Sequence, residues 1–129
     1  MIMSKKIKVT LLIVLVLLMA GTTVLAASYS FHFIPPFTGS ARWATATTVS
    51  GSAPYVDPSG TTNGTTYVLV LPAYHSTTDV SNFRTNVTSA KTYFTYNTGY
   101  GGSGQQYNLC GFPTATDFQE YYAAGSWLP

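Results

Sequence analysis

Charge is the scarcest property of this chain: only 8% of its residues are Asp, Glu, Lys or Arg. Lys5, Lys6 and Lys8 crowd the start, leaving Arg42, Arg84 and Lys91 against Asp57, Asp79, Asp117 and Glu120, a net charge of −1 beyond residue 26. Such a surface has no basic patch to displace counterions from phosphates or to attract anionic lipid, so nucleic acid is excluded as a partner. Cysteine is nearly absent. Cys110 stands alone, so no internal disulfide can form, and it is either a small buried hydrophobe or an exposed thiol open to an intermolecular disulfide. With two distant histidines and one cysteine, no spacing suits zinc, which takes about four N or S ligands. Strong helix formers are few after residue 26, and Gly and Pro recur throughout as punctuation.

The one long apolar run lies at the N-terminus. Three lysines, the apolar stretch 9–20 and the small residues Ala26 and Ala27 form the three parts of a secretory signal peptide, with Val24 and Ala26 at the −3 and −1 positions of a cut before Ala27. Residues 1–26 are therefore expected to engage the export machinery, and residues 27–129 to form a single domain that is secreted or held at the cell surface. The alternative is an uncleaved N-terminal helix acting as an anchor, since residues 9–27 approach the length of about 20 that a membrane helix needs. Gly21, Thr22 and Thr23 break that run.

What the domain has in abundance is strand-forming residues. All 7 Phe, 10 Tyr and 2 Trp follow residue 26, enough apolar surface for a folded core. Period-two alternation of Tyr29, Phe31 and Phe33 predicts a strand over 28–34. A second is expected over 41–49, with Trp43, Thr45, Thr47 and Val49 on one face, followed by a long turn region over 50–64. The uninterrupted Tyr67-Val68-Leu69-Val70-Leu71 predicts a central strand buried on both faces. Further strands are expected over 80–87, 91–97 and 106–112, the last two joined by a hairpin through the Gly-rich residues 98–104. Residues 121–128 read as a closing strand, although Thr116 with Gln119 resembles a capping box and Gly125 a helix stop. The fold expected is all-β: a small antiparallel β-sandwich of about six to eight strands after an N-terminal signal helix.

Motifs that could carry chemistry are weak. Gly99-Tyr100-Gly101-Gly102-Ser103-Gly104 matches G-x-G-x-x-G, but a dinucleotide site needs a helix immediately after it, and a strand is expected there. Ser, His and Asp supply the raw material of a hydrolytic triad without a nucleophile-elbow pattern, which leaves His75 and Asp79 as loop residues and His32 as a surface imidazole. The oxygen-rich series Asp57, Ser59, Thr61, Asn63 and Thr65 holds one carboxylate where calcium loops hold several, so it reads as a turn. No catalytic residue, metal or cofactor is expected, and the chain is read as a non-enzyme.

Nineteen rings exceed what a small core needs, so Tyr93, Tyr96, Tyr100 and Tyr107 are expected to form an aromatic contact surface. Together with the export segment, the stretch Phe37-Thr38-Gly39-Ser40-Ala41-Arg42 and the closing Gly125-Ser126-Trp127-Leu128-Pro129 resemble those of small secreted β-sandwich proteins of Gram-positive bacteria, a set that includes the lactococcin-type bacteriocins. The resemblance implies an exported two-sheet protein acting at an envelope; this chain is longer, less cationic and poorer in His than the bacteriocins. The expected role is binding or structural, through an aromatic-rich β surface, with the cell wall, the envelope or another protein as ligand and a homo-oligomer as a possible assembly. A bacteriocin acting on other bacteria is the alternative.

Overall fold

The computed structural model describes Ser4, Lys5, residues 26–35 and residues 41–129. The expected signal segment lies, apart from Ser4, Lys5 and Ala26, outside the described residues. Nine strands follow in chain order: β1 (Ala27–Phe33), β2 (Arg42–Trp43), β3 (Thr47–Thr48), β4 (Tyr55–Pro58), β5 (Thr65–Val70), β6 (Arg84–Val87), β7 (Thr92–Tyr93), β8 (Gln106–Pro113) and β9 (Tyr121–Leu128). They form two antiparallel sheets packed as a sandwich. Sheet I has the order β1-β9-β4-β7; sheet II has the order β2-β8-β5-β6, with β3 also on β8.

Alternation builds the core. Tyr29, Phe31 and Phe33 of β1 point inward and meet Val56, Ala123 and Trp127 of sheet I and Tyr67, Leu69, Tyr107 and Leu109 of sheet II. Burying these side chains supplies the stability that crosslinks do not, at about 25 cal/mol per Å² of apolar surface. A chain of hydroxyls crosses the layer: Tyr29 to Tyr67 at 3.1 Å, and Thr65 to Tyr121 at 3.0 Å. Buried hydroxyls need partners, and these two pairs tie sheet I to sheet II.

The closing segment is a strand. β9 lies inside sheet I between β1 and β4, with Trp127 fully buried. β5 is buried at all six positions and central in sheet II, as its unbroken apolar run predicts. Its alternate residues serve two clusters: Tyr67 and Leu69 face the sandwich, whereas Val68 and Val70 join Cys110 on the outer face.

Three sequence expectations are corrected. The turn region over 50–64 contains β4. Its prolines mask the strand, yet β7 pairs only with Tyr55 and Val56, so Pro58 lacks a ladder partner on that side and its missing N–H costs nothing there. The expected strand 41–49 is broken into β2 and β3 by a β-bulge. Trp43 pairs with Cys110 and Thr47 with Tyr107, so residues 44–46 oppose only 108 and 109. The extra residue turns the alternation over: Trp43 lies on the outer face with the Cys110 cluster, while Val49 enters the core. Finally, residues 98–104 do not close a hairpin. β7 belongs to sheet I and β8 to sheet II, and between them Asn97 and Thr95 hydrogen-bond to Val80 and Asn82 as the chain crosses between layers.

Candidate functional site

The bulge after Trp43 opens a groove on the outer face of sheet II. Trp43 and Asn108 line it, and Trp43 packs in turn against the cluster of Val68, Val70 and Cys110. One wall is the bulged segment 44–46, and the other is the turn that follows β5. That turn is closed by Ser76 N–H donating to the Ala73 carbonyl at 3.1 Å, which places Tyr74 and His75 at its two central positions. Two more bonds fix it to the sheet: Trp43 Nε1 donates to the Ser76 carbonyl at 3.0 Å and Asn108 Nδ2 to the Ala73 carbonyl at 3.4 Å.

The result is a stack of three rings. His75 lies between Tyr74, at 3.9 Å and 17°, and Trp43, at 4.4 Å and 19°. His75 is held at φ 49°, a left-handed conformation that a side-chain-bearing residue adopts at a cost, and such backbone strain gathers at functional positions. Tyr74 is 91% exposed, so its outer ring face is presented entirely to solvent. Arg42 and Asn108 line the same groove, whose volume is about 570 Å³. The Arg42 guanidinium donates to the Ala41 carbonyl at 3.1 Å and forms no ion pair among the described residues. An aromatic face beside a guanidinium that has no ion pair among the described residues suits a ligand with one apolar face and several hydroxyl or carboxylate oxygens.

Beneath the groove, Cys110 is buried and its thiol is pushed up to about 12, first by burial and then by the negative charge of Asp79. It is a packing residue, and the intermolecular-disulfide alternative is corrected by that burial. Asp79 bridges to Val70, and burial raises its carboxyl above the ordinary range.

Of the four tyrosines expected to form one surface, three meet: the Tyr107 ring contacts Tyr96 at 5.7 Å and Tyr100 at 6.4 Å, while Tyr93 contacts Tyr55 instead. Tyr93 is exposed beside Tyr55, and Lys91 Nζ sits over those rings at 5.7 and 4.0 Å. Tyr100 is exposed at the Gly-rich loop. Tyr96 is half-buried, its phenol pushed up to about 12 by burial. Tyr107, only 2% exposed, is a core residue and is withdrawn from the contact surface. Its hydroxyl shapes the loop by donating to Gln105 Oε1 and accepting from Gly101 N–H at 2.9 Å. Gly101, at φ 91°, packs onto the Tyr96 ring where a Cβ would overlap it. The loop leads directly into β8 at Gln106, not into the helix that a phosphate cradle uses.

A second aromatic pair marks the outer face of sheet I. His32 stacks on Tyr122 at 4.1 Å and its Nε2 lies 2.6 Å from Glu120 Oε1. Among the described residues, neither histidine is hydrogen-bonded to a serine, threonine or cysteine, and no three His, Cys, Asp or Glu gather as metal ligands. Comparisons with protein families, with curated proteins and with solved structures found no match.

Sequence reasoning passed over Tyr74 and the Trp43 groove. The signal was present in Pro72-Ala73-Tyr74-His75-Ser76: two aromatic rings inside a turn bounded by proline, where no core can absorb them.

Proposed function

We propose that this chain is an exported, non-enzymatic binding domain that takes a saccharide of the bacterial wall or envelope in the groove on sheet II. The observation that carries this reading is the Tyr74–His75–Trp43 stack, strained at His75 and facing solvent beside Arg42 and Asn108. A sugar ring lays its C–H face on an aromatic ring and leaves its hydroxyls at the edge, where the Arg42 guanidinium stands as a donor. Export gives such a domain access to the wall. The signal proposed for residues 1–26 fits the fold, because a cut before Ala27 releases a chain that begins at the first residue of β1 and keeps all nine strands.

The test is an adsorption isotherm on isolated bacterial wall for the wild type and for Tyr74→Ala and Arg42→Ala. Tyr74 is almost wholly exposed, so its loss leaves the core intact. Saturable adsorption weakened severalfold in Tyr74→Ala and about tenfold or more in Arg42→Ala is expected, an aromatic contact being worth about 0.5–1.5 kcal/mol and a hydrogen bond to a charged group about 1.5–3 kcal/mol. Equal adsorption by all three proteins overturns the groove assignment. Growth arrest of bacteria at saturating concentrations would instead favour the bacteriocin-like reading.

A further inference from the structure

The two sheets expose four edges, and three of them carry a feature that blocks further pairing. β7 is two residues long and follows Lys91. The β2 and β3 edge is broken by the bulge at 44–46. β6 carries a register irregularity against β5, an exposed Arg84 and Asn86 at φ 54°. Short strands, charges and bulges are the ordinary means by which proteins prevent edge-to-edge association.

β1 has none of them. It runs seven residues in unbroken register with β9, from Ala27 opposite Trp127 to Phe33 opposite Tyr121, without proline, lysine, arginine or bulge. It is the end strand of sheet I, and no backbone hydrogen bond among the described residues reaches its far side. Among the described residues, alternate N–H and C=O groups there lack a protein partner.

We propose that β1 pairs with β1 of a second copy of this chain, antiparallel about a two-fold axis through Ser30, joining two four-stranded sheets into one. A second copy is the occupant because the strand is complementary to itself in that register. On the outer face Ser30 meets Ser30 and Ser28 meets His32, a hydroxyl against an imidazole; on the inner face Tyr29 meets Phe31 and Ala27 meets Phe33. Polar residues face polar ones, apolar face apolar, and no two like charges are opposed. The small Ser28 and Ser30 leave the outer face flat for the incoming strand. This surface lies on sheet I and the groove on sheet II, so each proposal stands without the other.

Single cysteines introduced into the full chain read the register directly. In antiparallel pairs, directly opposed Cα atoms are about 4.5–5.5 Å apart, within disulfide reach. Native Cys110 is buried and serves as the background. Under mild oxidation Ser30→Cys is expected to give a disulfide-linked dimer on a non-reducing gel. Ser28→Cys and His32→Cys, each about 13 Å from its own counterpart at about 3.3 Å per residue, are expected to stay unlinked alone and to link when mixed. Absence of a Ser30→Cys dimer overturns the proposal. So does linking of Ser28→Cys alone as readily as Ser30→Cys, the pattern that association through any other surface would give.

Discussion

A single missing side chain holds sheet I together. Gly125 of β9 lies so close to β4 that a Cβ would overlap the Asp57 carbonyl oxygen and sit 2.9 Å from Pro58 Cα. Those are backbone atoms in a paired strand and have no flexible end to give way. Gly125→Ala is therefore expected to destabilise the fold by about 3 kcal/mol, in the upper range of overpacking costs. Gly60, with open space around it, provides the comparison: Gly60→Ala should change stability by less than about 0.5 kcal/mol in the same urea titration. Equal stability of the two variants would contradict the close packing of β9 on β4. At this scale the sequence was only partly legible. The alternation of Tyr29, Phe31 and Phe33 stated their burial outright, whereas Tyr107 looked the same as Tyr93 in composition and differs only in which strand carries it. Gly125 likewise carried a competing helix-stop signal within a segment read as a strand, and nothing in the sequence showed how closely β4 packs against it.

Strands that bury residues on both faces should outlast those held on one. β5 and β8 form the middle of sheet II and β9 the inside of sheet I, while β6 and β7 are short edges and β3 a two-residue piece at the side of β8. Amide hydrogen exchange is expected to be slowest in β5, β8 and β9 and fastest in β3, β6 and β7, since opening an edge exposes little apolar surface. Protection of β6 matching that of β5 would contradict the sheet order. The long strands were readable because apolar runs and alternation report burial within a segment. The bulge was not, because a period-two pattern cannot count the extra residue that its partner strand reveals. That one residue sends Trp43 outward and Val49 inward, and so makes the groove. β4 was hidden for a related reason: its Pro58 is tolerable only because β7 stops at Val56.

Across the molecule, burial favours the neutral forms of four tyrosines and the one cysteine. Tyr29, Tyr67, Tyr96 and Tyr121 all have their phenols raised above the ordinary 10.0, and Cys110 its thiol above 9.0, in each case mainly by burial. In the unfolded chain these groups lose protons at their ordinary values, so the unfolded state binds fewer protons than the folded one above that point. The stability they contribute is full below about 9 and is lost as pH rises through the range from 9 to 12. The thermal midpoint should fall steadily between pH 9 and 11 in a circular-dichroism series, and a midpoint constant across that range would contradict the neutral hydroxyl-rich core. The same molecule has one tryptophan in that core and one in the groove: Trp127 is wholly buried and Trp43 half-exposed. Acrylamide therefore quenches Trp43 and spares Trp127. Titrating the unmodified protein with wall saccharide and following acrylamide quenching of its tryptophan fluorescence tests the groove most directly. Saturable loss of the quenchable fraction is the predicted result; binding to the wall with Trp43 still open to quencher would contradict it.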